Sequence, residues 1–199
     1  MCGKYHVSTE DENLSFREAI HQLMLEHPEL VIQLGDVLPS QIAPVYTREG
    51  LAPMRFGHQA AFLKRLLINA RSETAHESPM FAPLLRASRV LVPALGFYEW
   101  SPRKKPYLFG RERGLPLQMA GLAFPGQPVQ EFVILTRDAV GAPAEVHPRM
   151  PVMFTSPELQ NAWLHQDSLA KELLELADST PYQALELAGF YGALERLRK

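Results

Sequence analysis

The chain has 199 residues, 46% hydrophobic and 21% charged, with a formal net charge of −2. That profile fits one ordinary globular domain with a sizeable core and does not announce a nucleic-acid binder. A single cysteine, Cys2, excludes an internal disulfide framework and suits a reducing compartment, and no run reaches the roughly 18–20 apolar residues of a membrane span.

In chain order, Ser8 to Asn13 is polar and acidic where a secretory signal would carry an apolar core, so a cytoplasmic protein is expected. From Asp11 or Asn13 a helix is predicted. Phe16, Ile20, Leu23 and Met24 repeat at helical spacing and Pro28 ends it. Strand-length apolar segments follow: Val37-Leu38, Ile42 to Val45, Leu66 to Ile68, Val90 to Leu95, Tyr107 to Phe109, Leu117 to Ala123 and Phe132 to Thr136. Seventeen prolines keep them short, which favours a much-turned sheet over a parallel βαβ array. Ser156-Pro157-Glu158 reads as an N-cap with proline at the first helical position. Asp167 is expected to cap a further helix that buries Leu169, Leu173, Leu174 and Leu176. The expected architecture is α+β: a single compact domain over 1–199, with a mainly antiparallel or mixed, barrel-like sheet flanked by helices. Residues 166–199 form its helical end.

Four stretches carry chemistry. Removal of Met1 would make Cys2 a 1,2-aminothiol, with an amine of pKa about 7.7–8.0 beside a thiol near 8.5. Such a group attacks an acyl carbon through sulfur, or captures an aldehyde through nitrogen and closes a thiazolidine. By position alone, a cysteine tolerated at a frayed terminus is an equal reading. In Ile68-Asn69-Ala70-Arg71-Ser72-Glu73-Thr74, strand alternation would point Asn69 and Arg71 together; an ordinary polar turn fits as well. In Gly96-Phe97-Tyr98-Glu99-Trp100, the carboxylate is either exposed at a strand end or desolvated, with its pKa raised towards acid/base use. In Val146-His147-Pro148-Arg149-Met150-Pro151, the prolines on both sides of Arg149 restrict the backbone and hold His147 and Arg149 in a rigid loop suited to proton shuttling, or simply to connection. Residues 61–113 hold ten basic against four acidic side chains, enough to attract an anion if gathered on one face and otherwise a solvated surface. The seven histidines lack zinc-ligand spacing, so no metal or other cofactor is expected.

Taken together, Met1-Cys2-Gly3, Asn-Ala-Arg-Ser-Glu-Thr at 69–74, Gly-Phe-Tyr-Glu-Trp at 96–100 and His-Pro-Arg-Met-Pro at 147–151 resemble the SRAP (SOS response-associated peptidase) family of abasic-site processing proteins. The resemblance runs in order from residue 2 to about 165. It implies a covalent sensor of abasic sites in single-stranded DNA, acting as a monomer without a membrane, and nucleoid-associated when on DNA. Cys2, freed of Met1, would condense with the sugar aldehyde through its α-amine and close a thiazolidine through sulfur. Asn69 would orient the amine, Glu99 handle protons and His147 shuttle them to the sugar oxygen. Lys4 and Arg71 would hold phosphates, Trp100 and Met80 would line the strand path, and Arg149 is counted among the DNA contacts. Lyase and self-processing peptidase activity are also implied. The chain departs from the family pattern at Lys4, where arginine is usual, which keeps the charge without the bidentate fork. It departs again at Arg55-Phe56-Gly57-His58, in place of a Trp-Gly segment, and at Pro148, where aspartate is usual.

Two other functions remain open on the sequence. Met-Cys-Gly also opens N-terminal-nucleophile amidohydrolases, but no asparagine here precedes glycine to form their oxyanion segment. A non-covalent single-strand-binding module would make Cys2 dispensable and bind reversibly, with strong salt dependence.

Overall fold

The computed structural model describes residues 2–7, 14–60, 63–111, 115–177 and 183–185. In chain order these form strand β1 (Tyr5–Val7), helix α1 (Leu14–Glu26), β2 (Gly35–Val37), β3 (Ile42–Tyr46), β4 (Leu51–Phe56) and β5 (Asn69–Arg71). Next come α2 (Ser72–Ala75), α3 (Ala82–Ala87), β6 (Arg89–Ala94), β7 (Gly96–Trp100), β8 (Pro106–Gly110), β9 (Leu117–Phe124) and β10 (Glu131–Asp138). The last are β11 (Arg149–Pro151), α4 (Pro157–His165), α5 (Ala170–Glu175) and β12 (Gln183–Leu185).

Strands β10, β4, β3, β6 and β9 pair in that order, and β9 pairs back to β10, closing a five-stranded barrel. Within that ring only the β4–β10 pairing is parallel. A second, antiparallel sheet runs β12-β8-β7-β1-β2. The α+β expectation therefore holds, and so does the reading of a barrel with flanking helices.

Prolines fit the barrel because of register. Thr47 N–H bonds Gly50 O at 2.8 Å, so alternation along the β3–β4 ladder makes Pro44 and Pro53, which face each other, a non-hydrogen-bonded pair. Neither is asked for the donor it lacks. Along β10 the period of two divides the core. Phe132 and Ile134 join the cluster that includes Tyr5, Met54, Phe56 and Phe97, while Val133 and Leu135 join the one that includes Phe154 and Trp163.

Helix α1 buries Phe16, Ile20 and Leu23 as predicted and ends before Pro28, but Met24 is 42% exposed. Ser156 caps α4, its Oγ accepting from Leu159 N–H. Of the leucines expected on one buried face near the end, Leu173 is buried while Leu169 and Leu176 are exposed. Asp167 spends its carboxylate on Arg89, at 2.8 Å, and on Arg48, rather than on a cap. Buried Arg89 also donates to the carbonyls of Leu85, Arg86 and Trp163. It thereby fastens α3 and α4 to the barrel, a core arginine that the sequence pattern did not reveal. The end expected to be wholly helical also supplies β12, which pairs with β8.

Candidate active site

Strand β10 organises the site because each of its edges changes partner halfway along. Glu131 and Phe132 pair with β4, then Ile134, Leu135 and Thr136 pair with β5 on that edge. On the opposite edge β9 reaches Ile134, and β11 takes over at Thr136, Arg137 and Asp138. Two three-residue strands thus bring residues 69–71 and 149–151 to one end of the barrel. The second sheet adds β7 with Glu99, and β1 with the residues just before it. Gly96 is required where β7 meets β8, since a Cβ there would lie 2.7 Å from Phe109 O.

The four residues expected to be catalytic meet here. Cys2 is fully buried, and Asn69 Nδ2 donates to its carbonyl at 3.2 Å and to Ile134 O at 3.4 Å. Glu99 is 2% exposed, and its Oε2 lies 3.9 Å from His147 Nδ1. That ring nitrogen lies 3.0 Å from Arg149 N and 3.1 Å from Arg149 O, so it accepts from the amide in one tautomer and donates to the carbonyl in the other, leaving Nε2 as the nitrogen without either contact. Burial lifts the Glu99 carboxyl above its ordinary range. Burial, and then the negative charge of Glu99, push the Cys2 thiol well above the usual thiol range, so it is held protonated.

Tyr5, absent from the sequence-based set, belongs to this environment. It is fully buried, and its phenol is raised by burial and by Cys2. Tyr5 Oη and Asn69 Oδ1 are both buried without a hydrogen-bond partner among the described residues. Its only signal was alternation: Tyr5 and Val7 point inward while Lys4 and His6 point away.

The residues expected to hold DNA are dispersed. Arg71 is exposed at the end of β5, two residues beyond Asn69. Trp100 is 40% exposed. Lys4 is half-buried: its Nζ lies 2.7 Å from Asp36 Oδ2 and 4.2 Å from the centroid of the Tyr98 ring. Asp36 also bonds Tyr98 Oη at 2.9 Å and His6 Nδ1 at 2.8 Å, so the Lys4 charge already has a partner. Met80 packs against the helix-side apolar cluster. Arg149 is committed within the fold, with Nη1 and Nη2 2.7 and 2.8 Å from the Glu73 oxygens, Nη1 2.6 Å from Asp138 and Nη2 donating to Thr136 O. Asp36 and Glu73 lie far from their partners in sequence, and no local pattern marked them. Among the described residues, no group of three or more His, Cys, Asp or Glu is placed to hold a metal ion. None of the described helices is long and apolar enough to cross a membrane.

A family model described as SOS response associated peptidase (SRAP) matches residues 1–190. The abasic site processing protein YedK of Escherichia coli K12 is 30% identical over 192 residues, covering 90% of this chain and 86% of that one. YoqW of Bacillus subtilis, also an abasic site processing protein, is 28% identical over 96% of this chain and 91% of its own. Among solved structures, a phage-related protein of Bordetella bronchiseptica superposes with a TM-score of 0.69 at 25% identity, covering 92% of each chain. A Bacteroides thetaiotaomicron protein superposes at 0.71 with 21% identity over 92% of this chain and 90% of its own, a likeness of fold.

Proposed function

Because this chain belongs to the SOS response associated peptidase (SRAP) family, we propose that it acts on abasic sites in single-stranded DNA and joins them covalently through Cys2 once Met1 is removed. The names of its relatives support the substrate. The observation that carries the chemistry is the convergence of Asn69, Glu99 and His147, from separate segments, on a buried Cys2.

The ring-opened abasic sugar presents an aldehyde. The Cys2 α-amine adds to its carbon, water leaves and an imine forms. The thiol then adds across the protonated C=N bond, its own proton returning to Glu99, and a five-membered thiazolidine closes. One molecule of water is the only by-product. Glu99, its carboxyl raised by burial, gives a proton to the departing hydroxyl and takes one from the thiol, which is otherwise held neutral. Asn69 fixes the Cys2 main chain so that amine and thiol reach one carbon. His147 shuttles protons to the sugar oxygen. Elimination from the imine supplies lyase activity, and release of Met1 is the self-processing step. Arg71 holds a phosphate, Lys4 does so only in competition with Asp36, and Trp100 and Met80 line the strand. Arg149 is assigned a positioning role, since its guanidinium is committed to Glu73 and Asp138.

The test is to incubate the purified chain with single-stranded DNA carrying one abasic site and resolve the products on a denaturing gel. A denaturation-resistant species is expected, abolished by Cys2→Ala and reduced to a borohydride-trappable imine by Cys2→Ser. An unchanged band in Cys2→Ala overturns the proposal.

A further inference from the structure

The β7–β8 hairpin leads away from Glu99 and ends in a turn that this chemistry does not use. Pro102, Arg103, Lys104 and Lys105 are all exposed there. The turn is tightly bonded: Ser101 N–H donates to Lys105 O at 3.0 Å and Lys104 N–H to Ser101 O at 2.8 Å, while Lys105 N–H reaches Ser101 Oγ at 3.3 Å. Lys104 has φ of 60°, a left-handed conformation in which glycine or asparagine is favoured and lysine is uncommon. None of the three cations has an acidic partner among the described residues. They repel one another, and among the described residues no carboxylate offsets that.

Aromatic residues connect this tip to the site. Tyr107 stands directly opposite Glu99 in the β7–β8 ladder, and Lys105 Nζ lies 5.2 Å from the centroid of its ring. Trp100, on the other face of the hairpin, is 40% exposed. Cations interleaved with accessible rings suit a polymer of phosphates and flat bases, whereas an acidic protein surface would need no rings.

We propose that the β7–β8 tip is a second single-strand contact that grips the phosphate backbone beyond the abasic nucleotide; it rests on the reading of the site given above. One cross-strand step of about 5 Å and two residues at roughly 3.3 Å each place the tip about 10 Å or more from Glu99. Phosphates rise about 3.4 Å apart per strand in a duplex and lie further apart in an extended single strand, so that distance spans about one to three nucleotides. The tip therefore contributes only when the DNA extends past the lesion by that length.

The experiment measures non-covalent binding of the full chain carrying Cys2→Ala. The probes are single strands with one tetrahydrofuran abasic analogue and either one or ten flanking nucleotides on each side. The turn is altered by Arg103→Ala, Lys104→Gly and Lys105→Ala together; glycine accepts the left-handed backbone, so the hairpin persists. Affinity for the long strand should fall at least fivefold at low salt. The slope of log K against log salt should shallow by about 0.7 for each phosphate that is no longer neutralised, with the short strand unaffected. Equal losses on both strands, or no loss on either, overturn the proposal. The same tip changes in a chain with Cys2 intact should leave the covalent yield at saturating short DNA unchanged. Absence of any adduct with Cys2 intact, alongside a length-dependent tip effect, would count against the function of the site and not against the tip.

Discussion

Asp36→Asn is expected to tighten non-covalent binding of single-stranded DNA, because Asp36 occupies the cation that a phosphate would need. Lys4 Nζ lies 2.7 Å from Asp36 Oδ2, with the two side chains 23% and 30% exposed. Charges about 4 Å apart at an effective dielectric near 20 attract by about 4 kcal/mol. Partial exposure and the entropy of a long side chain reduce a pair of this kind to about 1 kcal/mol. Relieved of that competitor, Lys4 should improve the dissociation constant by roughly fivefold, taking 1.4 kcal/mol per tenfold. The salt slope should steepen by about 0.7 as one more phosphate is neutralised. Asparagine keeps an oxygen for Tyr98 Oη, so the fold should lose only about 1–2 kcal/mol. The carboxyl of Asp36 is itself held below its ordinary range, because hydrogen bonds from Lys4, His6 and Tyr98 outweigh the opposing effect of burial. A depressed carboxyl stabilises above its unfolded value, near 3.9, and that stability is lost as pH falls through the folded value. Asp36→Asn should therefore remove part of the acid-side loss. The assay is fluorescence anisotropy on Cys2→Ala protein with an abasic analogue, repeated with Lys4→Met to complete the cycle. Binding no tighter than the parent, or a gain that persists without Lys4, would refute the argument.

Glu99→Gln should slow adduct formation with little change in DNA affinity. Since burial raises this carboxyl, its stability is greatest below the unfolded value and is lost as pH rises through the folded one. The variant should melt above the parent at pH 8, with the gap closing below about pH 4; a lower melting point at pH 8 counts against it. Arg71→Ala should weaken non-covalent binding and shallow its salt slope by about 0.7, and identical slopes would mean that Arg71 does not face the strand. Arg149→Met should cost about 1–3 kcal/mol, judged by urea unfolding, because Glu73 and Asp138 lose a half-buried partner. Its effect on the salt slope should be nil, and a drop of about 0.7 would restore it to the DNA contacts.

Much of the fold was legible wherever one segment settled its own structure. The α1 stripe of Phe16, Ile20 and Leu23, the Ser156-Pro157 cap and the apolar runs of β6, β9 and β10 are local patterns. Strand β4 was missed because Pro53 and Arg55 interrupt it and only Met54 and Phe56 are buried. Strand β11 was read as a rigid loop, since its three residues hold position only through β10. In the candidate site, Cys2, Asn69, Glu99 and His147 were each visible as an unusual residue in an unusual setting. What was not visible was charge pairing across the chain. Lys4 with Asp36, Arg149 with Glu73 and Arg89 with Asp167 are separated by 30 residues or more, and each pairing removes a cation from the apparent supply for DNA.

The double use of β10 also sets an order of events during synthesis. Cys2 is made long before its shelter, which draws on β5, β7, β10 and β11, the last of these ending at Pro151. At about 5–20 residues per second, the thiol waits on the order of ten seconds to half a minute before the strands that bury it have all been made. No partial product of the chain holds the complete group, because β5 and β11 have no lattice to join until β10 exists. During that wait Cys2 carries an ordinary exposed thiol, open to whatever aldehydes and oxidants surround a growing chain. Its guarded state is a property of the assembled strands and not of any one segment of the chain.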